Sequence, residues 1–263
     1  MSGAPTNRYA TLAARVYHLD KAIGRSFGDL EFYAERLAGE TGPILEPAVG
    51  NGRALIPLLE AGLAVSGFDA SPEMLDICRA ECAARGLDPA LELAFFQDFE
   101  VSEPQAAIII PAGSIQLVVD PEETAAVLRR FFGALRPGGR LILDLDSLAA
   151  LADTAPSARR WIDPGDASGA GSGDALTLLG VHEGTDFAAQ THTTQLRYER
   201  WRDGALVESE LDLFTLRLWG HFEMVTLLRS IGFAEVTVSA DYRHGVAPDA
   251  DTSVVTIEAV RPR

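Results

Sequence analysis

Between residues 44 and 146, short apolar runs alternate with longer amphipathic stretches, and this alternation predicts a parallel sheet covered by helices. The runs place strands at 44–48, 64–68, 91–97, 105–111 and 140–146. Between them, Ser71 followed by Pro72 is a helix start, with Met74, Leu75, Ile77 and Cys78 as its buried stripe. Asp120 and Pro121 open a second helix that runs through Leu135. Arg136-Pro137-Gly138-Gly139 should stop it before the strand at 140.

The texture changes near residue 151. Asp163 to Asp174 is small, polar and glycine-rich, and reads as a flexible surface linker. Beyond it, 175–183, 189–201 and 206–218 read as antiparallel strands, with Asp203-Gly204 as a hairpin turn. A helix over His221–Ser230 ends at Gly232, and 234–241 and 252–260 supply two final strands. The expected fold is α/β: a seven-stranded, mostly parallel sheet with helices on both faces, and an antiparallel sheet inserted after strand five. On the middle inserted strand, period-two alternation puts His192, Tyr198 and Arg200 on one face and Arg197 on the other. Its arginines either recognise an anionic group or are simply solvated.

Composition narrows the functional classes. The chain's 263 residues are ample for a buried core. Against 22 Lys and Arg stand 38 Asp and Glu, a net charge of −16, which disfavours nucleic acid and anionic membranes as partners. Met1–Ala10 lacks the pattern of a secretory leader, and no apolar run approaches the ~20 residues of a spanning helix. The expectation is a soluble cytoplasmic protein. Cys78 and Cys82 are four apart in a helical pattern and match neither a disulfide framework nor a metal signature. His182 and His244 show no metal-ligand spacing either, so no metal is expected.

The most informative stretch is Ile44-Leu-Glu46-Pro-Ala48-Val-Gly50-Asn51-Gly52: an apolar strand, an acid, then a glycine turn that exposes backbone N–H groups to a ligand. The next strand ends in Asp69, where a nucleoside presents its ribose hydroxyls. Asp69 either caps the following helix or binds ribose. Ser71 already holds the N-cap position, which leaves the acid free. A dinucleotide-binding enzyme shares this layout, but its third glycine is replaced here by Leu55, and Glu46 precedes the glycines.

Glu46-x-Ala48-x-Gly50-x-Gly52, Asp69, Gln97-Asp98-Phe99, Ile108-Ile-Ile-Pro111-Ala-Gly-Ser114 and Leu135-Arg-Pro-Gly-Gly-Arg together resemble the class I S-adenosylmethionine-dependent methyltransferases. The segment Tyr17 to Tyr33 is similar to the lid helix of bacterial small-molecule and amino-sugar N-methyltransferases. The resemblance covers about residues 9–146 and 219–260. It implies a Rossmann-like domain (41–150 and 219–263), an N-terminal helical lid (1–40) and an inserted substrate or dimerisation region (151–218). It also implies S-adenosylmethionine as cofactor, with Asp98 facing the adenine amino group, Phe99 flanking the ring, and the segment around Pro111 and Ser114 walling the methionine moiety. Tyr17, Arg25, Asn51, Ala70 and Met74 complete the implied cofactor set. Ala48 departs from the family's usual glycine, by the smallest side chain that leaves room at the turn.

The reaction implied by this resemblance is methyl transfer to nitrogen or oxygen of a small metabolite, such as in natural product biosynthesis, by in-line displacement driven by positioning. The alternative is a non-catalytic binder of the same fold. Tyr17, on the lid, and His221, at a helix start, are the candidate catalytic residues; each is also readable as a packing or helix-start residue. The exposed edges of the inserted hairpin offer a surface for pairing into a homodimer.

Overall fold

The computed structural model describes residues 9–152, 154–165, 169 and 171–263. The leader reading over residues 1–10 and the linker reading over 163–174 therefore fall partly outside the described residues. By its contacts the chain divides into two compact units, Met1–Ala22 with Thr154–Leu216, and Ile23–Asp153 with Arg217–Arg263.

The larger unit is built on a seven-stranded sheet. In chain order its strands are β1 (Ile44–Pro47), β2 (Val65–Asp69), β3 (Leu91–Leu93), β4 (Gln105–Ile110) and β5 (Leu135–Asp146), then, after four strands of the other unit, β10 (Ala234–Ala240) and β11 (Val254–Val260). Their order across the sheet is β10-β11-β5-β4-β1-β2-β3. The first five are parallel and β11 runs antiparallel to both neighbours. Every residue of β1 and β4 is buried, as expected where helices cover both faces. The chain leaves β1 toward β2 in one direction and resumes at β4 on the other side, so the carboxyl ends of β1 and β4 part to form the crevice where ligands bind in such sheets.

Local chemistry sets the helices. The Ser71 hydroxyl accepts from the Met74 amide at 3.1 Å to start α4 (Pro72–Ala83), and the Asp120 carboxylate accepts from Glu122 and Glu123 to start α5 (Pro121–Ala134). The Ser147 hydroxyl does the same for the short α6 (Leu148–Leu151), accepting from the Ala150 amide at 3.0 Å. On one face of the sheet Phe131 of α5 packs with Phe96, Phe99, Leu128 and Leu143. On the other, Leu55 of α3 (Leu55–Glu60) joins Leu75, Ile109 and Ile142 in a second core with Phe32 and Tyr33 of α2 (Asp29–Arg36).

Of the predicted boundaries that move, two have a clear local cause. The turn expected at 136–139 is part of β5, which begins directly after α5. Gly138 and Gly139 pair there with Arg261, and a Cβ on Gly139 would meet the backbone oxygens of Arg136 at 2.8 Å and Gln105 at 3.0 Å, so the glycine serves close strand approach. The strand expected over 91–97 stops at Leu93, because the Asp98 carboxylate accepts from the Phe95 amide at 2.8 Å and folds 95–98 into a turn.

The smaller unit is a four-stranded antiparallel sheet, β6 (Ser157–Ile162), β7 (Ala175–Asp186), β8 (Thr191–Arg202) and β9 (Ala205–Arg217), ordered β6-β7-β8-β9. β6 has no counterpart among the elements predicted from the sequence. Helix α1 (Thr11–Asp20) packs Leu12, Ala13 and Val16 on Leu176, Leu178 and Tyr198. Glu210 of β9 accepts from the Leu12 and Ala13 amides, both at 2.9 Å, so a carboxylate sits at the positive end of α1. His192 and Tyr198 are buried while Arg197 is exposed, as the alternation predicts. Arg197 pairs with Glu199 and Arg200 with Glu208, which gives both arginines structural partners.

Because Phe131 is fully buried in a cluster of aromatic rings, Phe131→Ala is expected to lower stability by about 3–5 kcal/mol in urea unfolding. A loss below about 1 kcal/mol would show that this face is not tightly packed.

Candidate active site

The end of β1 is built against its own conformational preference. Ala48 (φ 53°), Gly50 (φ 58°) and Gly52 (φ 87°) all lie in the left-handed region, which for alanine costs about 1–2 kcal/mol. Each glycine has its own reason. A Cβ on Gly52 would stand 2.8 Å from the Cys78 sulfur, so this glycine lets the turn rest on α4; Cys78 is thereby a packing residue. At Gly50 a Cβ would meet nothing within 4 Å, so the backbone there faces open space.

Asp69 ends β2 and ties the turn down. One carboxylate oxygen accepts from the Gly50 amide at 2.7 Å and the other from the Ser71 amide at 2.9 Å. Burial raises its pKa, and these backbone donors only partly offset the rise. With the Ala70 amide also bonded to the carboxylate, the two oxygens keep a lone pair between them for a hydroxyl.

Glu46 is the unusual group. It is only 3 % exposed, and its Oε2 has no hydrogen-bond partner among the described residues. Burial pushes its pKa up to about 8, against the pull of the Arg53 guanidinium. Arg53, itself buried, donates to Asp29 at 2.5 Å and to the Arg25 carbonyl at 2.8 Å, which fastens residues 25–29 beside the glycine turn. Burial alone would raise the Asp29 pKa, but the guanidinium outweighs it and holds the carboxyl below its ordinary value.

The remaining predicted residues divide between the turn, the core and the surface. Asn51 is buried and its side-chain oxygen accepts from the Arg53 amide at 3.2 Å. Ala70 is exposed and Met74 is core. The Arg25 guanidinium stacks over Phe27 at 5.1 Å. Asp98 is exposed. Phe99 is only 2 % exposed, its ring between Phe68 at 5.0 Å and Phe131 at 5.2 Å, so its side chain is a core residue and only its backbone is available to flank a ligand. Pro111 and Ser114 form the turn after β4, closed by the Ser114 hydroxyl donating to the Pro111 carbonyl at 2.9 Å. Tyr17 belongs to the smaller unit, where its ring meets Tyr9 edge-on at 5.5 Å.

His221 starts α7 (His221–Ile231) and lines a cavity of about 300 Å³ with Leu145, Asp146, Trp219, Asp249 and Val255. The Trp219 indole, 3 % exposed, has an N–H with no partner among the described residues. This cavity adjoins the turn after β4, because the Asp146 amide donates to Gln116 at 2.7 Å. Among the described residues no group of three or more His, Cys, Asp or Glu is placed to hold a metal.

A family model described as a methyltransferase domain matches residues 44–139, which span β1 to the start of β5. Over these residues the chain is similar to a methyltransferase domain. Two curated relatives match part of the chain. Carboxy-S-adenosyl-L-methionine synthase of Aeromonas hydrophila is 30 % identical over 84 residues, covering 32 % of this chain and 33 % of that protein. Phosphatidylethanolamine N-methyltransferase of Cereibacter sphaeroides is 31 % identical over 104 residues, covering 39 % of this chain and 49 % of its own length. This chain thus spans half or less of the curated relatives it matches. The fold extends further: the sugar N-methyltransferase KedS8 from Streptoalloteichus superposes with a TM-score of 0.73 at 18 % identity, over 100 % of this chain and 96 % of that one. The region matched by the family model includes the glycine turn, Glu46, Asp69 and the turn after β4.

Arg53, Asp29 and Gln116 were not among the predicted site residues. The signal for Arg53 is a cation directly behind a glycine turn and ahead of an apolar helix, where only a buried partner makes it tolerable.

Glu46 supplies a pH test. Its folded pKa lies above its unfolded one, so the protein loses stability as pH rises from about 4.5 to about 8 and stays penalised above. Glu46→Gln, neutral throughout, is expected to exceed the parent by a margin that is absent at acid pH, grows across that window and then levels at a few kcal/mol. Urea unfolding against pH checks this, and a pH-independent difference contradicts it.

Proposed function

We propose that this protein is an S-adenosylmethionine-dependent methyltransferase acting on nitrogen or oxygen of a small metabolite. The observation that carries the proposal is the buried Glu46 carboxylate oxygen without a partner, placed beside a glycine turn that is open to a ligand. An isolated carboxylate this deep is costly unless a cation meets it. The cofactor's amino acid end carries an ammonium, and its ribose carries the hydroxyl pair that suits Asp69.

Bound here, S-adenosylmethionine would supply an activated methyl group for in-line displacement. The chain's own residues hold and orient. Glu46 receives the ammonium, Asp69 accepts from ribose, Gly50 lets the backbone approach, and the Pro111–Ser114 turn walls the methionine side. The cavity lined by Trp219, Asp146 and His221 takes the acceptor, and the His221 imidazole accepts the proton that a nitrogen or oxygen nucleophile gives up. At about 300 Å³ this cavity is at the small end of ligand sites, which suits a single-ring metabolite. KedS8 is a sugar N-methyltransferase, and an amine on a small sugar-like molecule is the acceptor most in keeping with it. The net charge of −16 argues against an RNA substrate.

Calorimetric titration with S-adenosylmethionine and S-adenosylhomocysteine tests the cofactor. Binding in the micromolar range is expected, and Asp69→Ala should weaken it at least about tenfold. Failure of the parent protein to bind either ligand at millimolar concentration would refute the proposal. Cofactor binding without methylation of any compound in an amine and alcohol metabolite panel would favour a binding protein.

A further inference from the structure

Asp144 lies inside β5, fully buried, one residue before the acceptor cavity begins to be lined. Its Oδ2 accepts from the Ala112 amide at 3.0 Å and from the Tyr242 hydroxyl at 3.1 Å, and its Oδ1 accepts from the Thr256 hydroxyl at 2.8 Å. Two of these three partners sit in conformations that side-chain-bearing residues avoid. Ala112 (φ 56°) and Gly113 (φ 69°) are consecutive left-handed residues in the turn after β4, and Tyr242 (φ 58°) is a bulky left-handed residue between β10 and β11. Tyr242 is further wedged against Phe32 and the Gly28 backbone. One buried carboxylate therefore joins two strained turns at the sheet end, and one of them is the turn that walls the proposed donor site.

We infer that Asp144 is a positioning residue, which with Tyr242 as its brace holds the Pro111–Ser114 turn in the shape the methyl donor needs. The inference rests on the function proposed above. It assigns to Asp144 no contact with either reactant. Strained geometry of this kind persists only where the surroundings over-determine it, and here the surroundings are three donors aimed at one carboxylate. All three donors suit the ionised form. A protonated Asp144 carries an O–H that must displace or reverse one of them, and its neutral oxygens accept more weakly than carboxylate oxygens, so the Ala112 link that holds the turn weakens on protonation.

Burial pushes the Asp144 pKa up to about 6, against the pull of Thr256 and Ala112. The groups facing it are Tyr33 and Asp29 from α2, Tyr242 from the β10–β11 turn and Thr256 from β11, and Asp29 pushes in the same direction as burial. Donor affinity should therefore fall as pH drops through about 6, separately from any change set by Glu46 at higher pH.

The test compares three variants of the full chain by calorimetry with S-adenosylhomocysteine, alongside thermal unfolding. Thr256→Val removes the hydrogen bond to Oδ1 and leaves the link to Ala112, so it should lower the melting temperature while Kd stays within about twofold. Asp144→Asn should raise Kd about tenfold and abolish the affinity step near pH 6. Tyr242→Phe, a milder change, should raise Kd by roughly threefold and move the step. If Kd follows the loss of stability equally in all three variants, or if Asp144→Asn binds like the parent with the step intact, Asp144 is structural only and the inference is overturned. If the parent itself does not bind, the proposed function fails first and takes the inference with it.

Discussion

The carboxyl edge of this sheet is organised around the burial of one carboxylate. Glu46 lies near the end of the inner strand β1, where helices on both faces exclude water, and its Oε2 has no partner among the described residues. The neighbouring chemistry answers to it. Arg53 is the cation that moderates its charge, and the same guanidinium is committed to Asp29 and the Arg25 carbonyl. Arg53 cannot also neutralise Glu46 without leaving a second buried acid unpaired, which typically costs about 3–5 kcal/mol, the scale of a single severe mutation. Glu46 therefore has no counter-charge of its own, keeps its proton near neutral pH and is left for a cationic ligand to ionise.

The same edge is also strained. Ala48, directly after β1, and Ala112, two residues after β4, both lie in the left-handed region, so the chain turns sharply past both strands that border the crevice at residues that carry a Cβ. Hydrogen bonds to buried acids hold both turns, from Gly50 to Asp69 and from Ala112 to Asp144. Strain, buried acids and open backbone coincide at the topological switch point, as is usual where a fold sets stability aside for a binding site.

Much of this is legible in the sequence, because the sheet interior is written as continuous apolar runs and the helix starts as Ser-Pro and Asp-Pro. The glycine turn, Glu46 and Asp69 are legible for a related reason: each stands at the end of an apolar run, and the ends of adjacent parallel strands meet in the site. What stays hidden depends on residues that meet only after folding. Asp144 stands in an apolar strand with Asp146, and nothing local reveals that Thr256 and Tyr242, more than 90 positions away, aim hydroxyls at it. Phe99 illustrates the converse. Its place in the sequence suits a ring-flanking role, but stacking on Phe68 and Phe131 commits its side chain to the core. β6 escapes a hydropathy reading because Ser157-Ala-Arg-Arg-Trp-Ile162 pairs like with like and carries no period-two alternation.

With its pKa pushed up to about 8, Glu46 is protonated at neutral pH until a cation arrives, and the ammonium of S-adenosylmethionine is the cation proposed for it. Binding should then expel its proton. Calorimetric titration near neutral pH in two buffers of different ionisation enthalpy measures that proton directly. The expected result is an observed enthalpy that depends on the buffer, with a slope equivalent to the release of about one proton per cofactor bound. Binding with an enthalpy that is the same in both buffers would contradict the pairing of Glu46 with the cofactor's ammonium.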